Sequence, residues 1–299
     1  MEANSGPMNK DFVLLNGEVL PAAEARISPR DRGFLYGDGF FETMRVMSGE
    51  PFLLDRHLRR LNDSCQSCGW GGDLDRTKLR SGIAELIDRS GVRTGYLRVT
   101  VSRGLHMGGL TRLRADAPTI FADLKPMDLP PLDDPPAVTL KKSGYMKSSN
   151  SPVVRHKSIS YQYNVLALAE AREQGADEVF FLNEHGHLTE GAISNVFFVR
   201  DGTVYTPAIS CGLLPGITRE VVCELCQDAG LSIHEGEYPE GELRNADEVM
   251  CTNSLKGIMA VREILDYPDA KLFRGPITAE LQKLYAETVR EECGTPRGA

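Results

Sequence analysis

Two periods run along this chain. In residues 95–102, GYLRVTVS, apolar and polar side chains alternate, which predicts a strand with Tyr96, Arg98 and Thr100 on one face. In residues 54–67 the leucines at 54, 58 and 61 recur at helical spacing with Arg56, Arg59 and Arg60 between them, which predicts an amphipathic helix with a basic side. Asn16-Gly17 separates the short apolar runs 11–15 and 18–20, the signal of a hairpin. Further strands are predicted at 41–46, 117–124, 137–140, 178–182, 195–199, 204–206 and 248–252. Helices are predicted at 79–90, after Tyr161 as far as residue 175, from Pro215 to residue 230, and at 277–292.

Between these elements the breakers define the organisation. Gly33, Gly37 and Gly39 predict a folded loop with close backbone approach ahead of the 41–46 strand. A second glycine-rich loop covers residues 103–109. Residues 125–136, KPMDLPPLDDPP, carry five prolines and neither period, and read as an interdomain linker. It divides a small N-terminal α/β domain, 1–124, from a larger C-terminal domain, 137–299, in an α+β chain.

Composition narrows the function. At 299 residues, 41% hydrophobic and 25% charged, the chain has ample material for two cores. A net charge of −8 argues against nucleic acid as the main partner. No run approaches the roughly 18 apolar residues of a membrane span, and residues 1–11 lack the apolar centre of a signal peptide, so no membrane partner and a cytoplasmic location are expected. The seven cysteines include two C-x-x-C pairs, Cys65/Cys68 and Cys223/Cys226, each spaced to share one helical face; they read as reduced thiols and not as a metal site.

Residues 188–199, LTEGAISNVFFV, raise the chemical question. Glu190 is about to enter an apolar strand, where a carboxylate costs several kcal/mol unless something positive meets it. Gly191 and Ala192 predict room for another body beside the backbone. The alternative is a carboxylate that caps the strand and faces water. Pro215 and Gly216 start a helix whose free N–H groups near Ile217 and Thr218 suit an anion, as a plain helix start also would. Phosphate-binding GxxxxGK[ST], a GxGxxG after a strand, metal-type His/Cys spacing and a G-x-S-x-G elbow are all missing.

Six stretches, DRGFLYGDGFFETMRV, RHLRRL, HKSISY, LTEGAISNVFFV, LLPGITRE and CTNSLKGIMAV, follow one another in an order that resembles the class-IV aminotransferases, the fold-type IV pyridoxal 5′-phosphate enzymes. The likeness covers about residues 12–261. It implies a two-domain fold similar to D-amino-acid aminotransferase, with the cofactor at the domain interface, and a homodimer acting on a small-molecule amino substrate. By the same likeness Lys157 is the catalytic amine that carries the cofactor covalently. A lysine in that role must lose its proton, which a partly desolvated pocket favours. Glu190 would face the pyridine nitrogen and keep it protonated. Tyr161 matches the tyrosine that bonds the phenolic oxygen in several relatives. Arg60 matches the phosphate arginine, and Ile217, Thr218, Thr252 and Ser254 match positions around the phosphate. Tyr36, Arg98 and Arg103 align with positions that hold substrate carboxylates.

Within the family two reactions compete. The turn Thr252-Asn253-Ser254-Leu255 resembles the version found in 4-amino-4-deoxychorismate lyases, which release pyruvate and form 4-aminobenzoate for folate synthesis. Branched-chain aminotransferases more often place a glutamate where this chain has Leu255. Tyr96-Leu97-Arg98 resembles the branched-chain aminotransferases, and Phe41 stands where D-amino-acid enzymes have a tyrosine. The lyase is the favoured expectation; an aminotransferase for branched-chain or D-amino acids is the alternative. Lys256 reads as a solvated lysine.

Overall fold

The computed structural model describes residues 11–105, 110, 114–115, 117–270 and 274–294. Part of the 103–109 loop, residues 106–109, and the end of the chain lie outside the described residues. The chain forms two compact units: 1–129 with 158–160 and 292–299, and 130–157 with 161–291.

The first unit is built on an antiparallel sheet. Its elements are β1 (Phe12–Leu15), β2 (Glu18–Pro21), α1 (Arg32–Tyr36), β3 (Gly39–Met47), β4 (Glu50–Pro51), α2 (Leu54–Ser67), α3 (Arg76–Ser90), β5 (Gly95–Ser102) and β6 (Thr119–Pro126). The strand order is β2-β1-β6-β5-β3-β4. Asn16-Gly17 turns the first hairpin, with both residues at positive φ. α2 spans the residues its periodicity predicts, because Leu54, Leu58 and Leu61 are its buried face against the sheet. α3 begins where the Asp75 side chain accepts from Lys78 N–H at 2.9 Å and ends at Gly91 in the left-handed region. The residues expected as a glycine loop contain the short helix α1, capped by Asp31 and stopped by Gly37. Close approach is real at Gly39, where a Cβ would lie 2.3 Å from the Val101 carbonyl oxygen.

The second unit holds a mixed seven-stranded sheet. Its elements are β7 (Val138–Lys147), α4 (Gln162–Glu173), β8 (Glu178–Asn183), β9 (Asn195–Arg200), β10 (Thr203–Pro207), α5 (Ile217–Asp228), β11 (Ile233–Gly236), α6 (Gly241–Arg244), β12 (Glu248–Asn253), β13 (Gly257–Ile264) and α7 (Pro276–Cys293). The order is β11-β10-β9-β12-β13-β7-β8, with β13, β7 and β8 mutually parallel and β9, β12 and β13 antiparallel. Phe180, Val196, Phe198, Val249, Met259 and Val261 form its core.

One expectation is corrected here. β7 continues to Lys147 instead of stopping at Leu140, because the polar residues beyond it have partners: Lys141 pairs with Asp266 at 3.5 Å and Lys142 with Glu240. β13, a continuous apolar run without alternation, is a strand that periodicity does not reveal. Lys125 and Pro126 belong to β6, and Ser158–Ser160 cluster with the first unit through bonds such as Ile159 N–H to Gly39 O at 3.0 Å. All seven cysteines are free thiols; burial pushes Cys65 and Cys226 up to about 12. Among the described residues no helix is long and apolar enough to cross a membrane.

Candidate active site

Glu190 is indoors. It is 7% exposed, on the connection between β8 and β9, where Phe181 N–H donates to its carbonyl at 2.9 Å and a bridge pairs it with Asn195. Its positive partner is Lys147, at the end of β7, whose ammonium donates to Oε1. The other carboxylate oxygen accepts from Leu214 N–H at 3.1 Å. Lys147 Nζ also lies 4.9 Å from the centre of the Phe181 ring. The water-facing alternative is therefore set aside. Gly191 does not leave room for another body: a Cβ there would meet Ser194 Oγ at 2.3 Å and the Val179 carbonyl oxygen at 2.9 Å.

That crowding comes from a second buried carboxylate. Glu178, 3% exposed at the start of β8, accepts from Val179 N–H and Ala192 N–H at 2.9 Å, Ile193 N–H at 3.1 Å and Ser194 Oγ at 2.8 Å. Burial pushes its carboxyl upward, and these four bonds oppose that rise. Glu178 thereby fixes the turn that follows Glu190.

Lys157 is half-buried, with Nζ 5.8 Å from the centre of the Tyr161 ring. The Tyr161 hydroxyl donates to the Ala192 carbonyl at 2.6 Å, and Asn164 Nδ2 donates to the same oxygen at 2.6 Å. Lys157, Tyr161 and the turn after Glu190 are thus brought together.

A second group forms around Asn195. Its side chain donates to Leu214 O at 3.0 Å, and its Oδ1 leaves Gly216 no space for a Cβ, which would sit 2.0 Å away. Gly216 is the N-cap of α5, and no side chain caps that helix start. Ile217 and Thr218, its first residues, are buried. On the next strand Thr252 is the register partner of Asn195; it is 1% exposed and its hydroxyl has no hydrogen-bond partner. Ser254 is half-buried in the following turn, which Asn253 Oδ1 closes by accepting from Leu255 N–H at 3.1 Å and Lys256 N–H at 2.8 Å. Lys256 is exposed, as its solvated reading requires. An orphaned buried hydroxyl next to an uncapped helix N-terminus suits a phosphate, which satisfies both.

In the first unit Arg60 on α2 is held by Glu42 on β3. Nε donates to Oε1 at 2.8 Å and Nη2 to Oε2 at 2.6 Å, while His57 Nδ1 lies 2.6 Å from Oε2. Burial works to raise the Glu42 carboxyl, but Arg60 and His57 outweigh it and hold it at about 2. Arg98 lies with its guanidinium carbon 3.8 Å from the centre of the Phe41 ring, on the β5 face shared with Tyr96 and Thr100. Tyr36 ends α1 at 46% exposure, 5.5 Å from the Arg32 guanidinium. Arg103 is buried, with Nε donating to Asp38 Oδ2 at 2.8 Å, the oxygen that also takes Arg32 Nε. Its guanidinium carbon lies 5.0 Å from the Trp70 ring centre, so Arg103 braces the fold here.

Lys147, Glu178 and His57 carry no signature in the sequence; the one available signal is Glu42, a carboxylate directly after Phe40-Phe41 in a strand.

Comparison with known proteins gives the family. The amino-transferase class IV family model matches residues 39–264. The aminodeoxychorismate lyase of Bacillus subtilis is 33% identical over 294 residues, spanning 93% of this chain and 95% of that protein. The D-alanine aminotransferase of Bacillus licheniformis is 30% identical over 286 residues, spanning 94% and 98%. Among solved structures, the branched-chain aminotransferase of Thermoproteus uzoniensis with norvaline superposes with a TM-score of 0.84 at 27% identity, covering 96% of each chain.

Proposed function

This chain belongs to the class IV aminotransferase family of pyridoxal-phosphate-dependent enzymes, and on that premise we propose that it is a 4-amino-4-deoxychorismate lyase. The observation that carries this reading is the turn from Thr252 to Leu255. Asn253 closes it, and Leu255 takes the place of the glutamate common in branched-chain aminotransferases. The product 4-aminobenzoate would feed folate synthesis. Transfer of an amino group from a branched-chain or D-amino acid to a 2-oxo acid is the second reading, favoured by Arg98 on the face of β5 in the sequence Tyr96-Leu97-Arg98.

Pyridoxal 5′-phosphate, when bound, supplies an electron sink for negative charge that develops next to the substrate nitrogen. The residues then divide the work. Lys157 would hold the cofactor through its amine and carry a proton at Nζ. Glu190 would face the ring nitrogen, while Lys147 balances the carboxylate's charge in its buried setting. The Thr252 hydroxyl, the Ile217 and Thr218 N–H groups and Ser254 would take the phosphate, a role the family resemblance also gives to Arg60. Arg98 and Tyr36 orient substrate carboxylates. A homodimer and a cytoplasmic location belong to the same proposal.

The test is direct. Protein loaded with pyridoxal phosphate and given 4-amino-4-deoxychorismate should release pyruvate and 4-aminobenzoate in equal amounts. L-Leu, L-Glu and D-Ala should leave the cofactor's spectrum unchanged. Conversion of the cofactor to its amine form by one of them, with no pyruvate from the first substrate, would establish the aminotransferase.

A further inference from the structure

We propose that Asn195 is a positioning residue that sets the spacing between the Glu190 carboxylate and the start of α5, and through it the affinity gained from the cofactor's phosphate. The inference rests on the reading above, in which Glu190 faces the ring nitrogen and Ile217, Thr218 and Thr252 meet the phosphate.

Glu190, Asn195 and Thr252 form one row in the second unit. Asn195 opens β9, with Glu190 bridged to it on one side and Thr252 its register partner on the other. Side chains of directly opposed residues project from the same face, so the acid, the amide and the orphaned hydroxyl stand side by side. At the usual strand separation the outer two are roughly 10 Å apart, with the amide between them. All three residues are buried.

The amide also fixes the chain that crosses this row. Leu214 is held at both ends of its main chain: its N–H donates to Glu190 Oε2 at 3.1 Å, and its carbonyl accepts from Asn195 Nδ2 at 3.0 Å. Only Pro215 and Gly216 separate it from α5, and the proline ring removes one backbone rotation. Gly216 in turn lies against the other end of the amide, where a Cβ would meet Asn195 Oδ1 at 2.0 Å. The N-cap of α5 has no side-chain cap of its own, and Asn195 locates the helix start from outside it. A rigid ligand with two polar ends gains from both only where their sites stand at the matching separation. Asn195 supplies that separation through Leu214 and Gly216.

The experiment compares pyridoxal 5′-phosphate with pyridoxal, which lacks the phosphate, by equilibrium dialysis against the full chain. Thermal unfolding of the cofactor-free protein is measured beside it. Asn195→Leu keeps a branched side chain and removes the donor to Leu214. Gly216→Ala keeps the amide and pushes the helix start away from it, at a φ of −69° that alanine adopts freely. In each variant the preference for the phosphorylated ligand should fall about tenfold, the equivalent of one hydrogen bond to a charged group, while pyridoxal binds within about twofold of wild type. The double variant should lose little more than the larger single loss, because both substitutions act on one spacing; a fully additive loss overturns the inference. An unchanged preference alongside a lower unfolding temperature marks a purely structural amide and overturns it as well. So does a loss confined to Asn195→Leu. Should that variant fail to fold, Gly216→Ala decides alone, by whether the preference falls. A wild-type protein that binds both ligands equally sinks the phosphate placement and this inference together; a wild-type preference that neither variant reduces sinks the inference alone.

Discussion

The Thr252 hydroxyl is buried without a partner, whereas Glu42 is buried with three bonds from two basic side chains. The two residues make opposite predictions. An unsatisfied buried hydroxyl destabilises the cofactor-free fold, so Thr252→Val should leave its unfolding temperature unchanged or raise it. The same variant should weaken pyridoxal phosphate binding about tenfold, the equivalent of one hydrogen bond to a charged group, measured by equilibrium dialysis. Glu42 instead stabilises the fold through its charge. Its folded carboxyl is held at about 2 against an ordinary value of 4.5, so the unfolded chain takes up the proton first. That contribution, on the order of 3 kcal/mol, is fully present above about pH 5 and is lost as the pH falls toward 2. Denaturant titrations between pH 6 and 2.5 should show this slope in the wild type and a flatter profile in Glu42→Gln.

At the scale of elements, the chain was most legible where a regular period coincides with a buried face. α2 and β5 lie where patterning places them, because Leu54, Leu58 and Leu61 in one, and Leu97, Val99 and Val101 in the other, point into the core. β7 shows the limit. Lys141, Lys142 and Lys147 look like solvated loop in sequence, yet each finds an acidic partner far along the chain. The same blindness hid part of the site. Lys147 stands 43 residues before Glu190, and no local pattern announces a pair at that separation. Glu190 itself was readable because an acid at the mouth of an apolar strand demands an explanation. The role of β7 can be tested. Lys147→Met leaves the Glu190 carboxylate buried without its ammonium, and the cofactor-free protein should lose about 3–5 kcal/mol in urea denaturation. Lys147→Met with Glu190→Gln should recover a large part of that loss.

For the whole molecule, the pattern of elements carried the α+β class, and the resemblance of six stretches in family order carried the family, since such an order is hard to assemble by accident. The detailed boundaries escaped because proline content marks a linker only loosely: β6 runs into the proline-rich stretch, and Ser158–Ser160, between Lys157 and Tyr161, cluster with the first unit. Relatives named as a lyase and as an aminotransferase match at 33% and 30% identity, so overall likeness does not choose the reaction, and the lyase proposal rests on the 252–255 turn. Beneath either reaction lies one assignment, that Lys157 holds the cofactor. Incubation of the full chain with pyridoxal phosphate, borohydride reduction and peptide mass mapping tests it most directly. A single pyridoxyl label on Lys157, absent from Lys157→Ala, is expected; a label on another lysine, or none, would contradict the assignment.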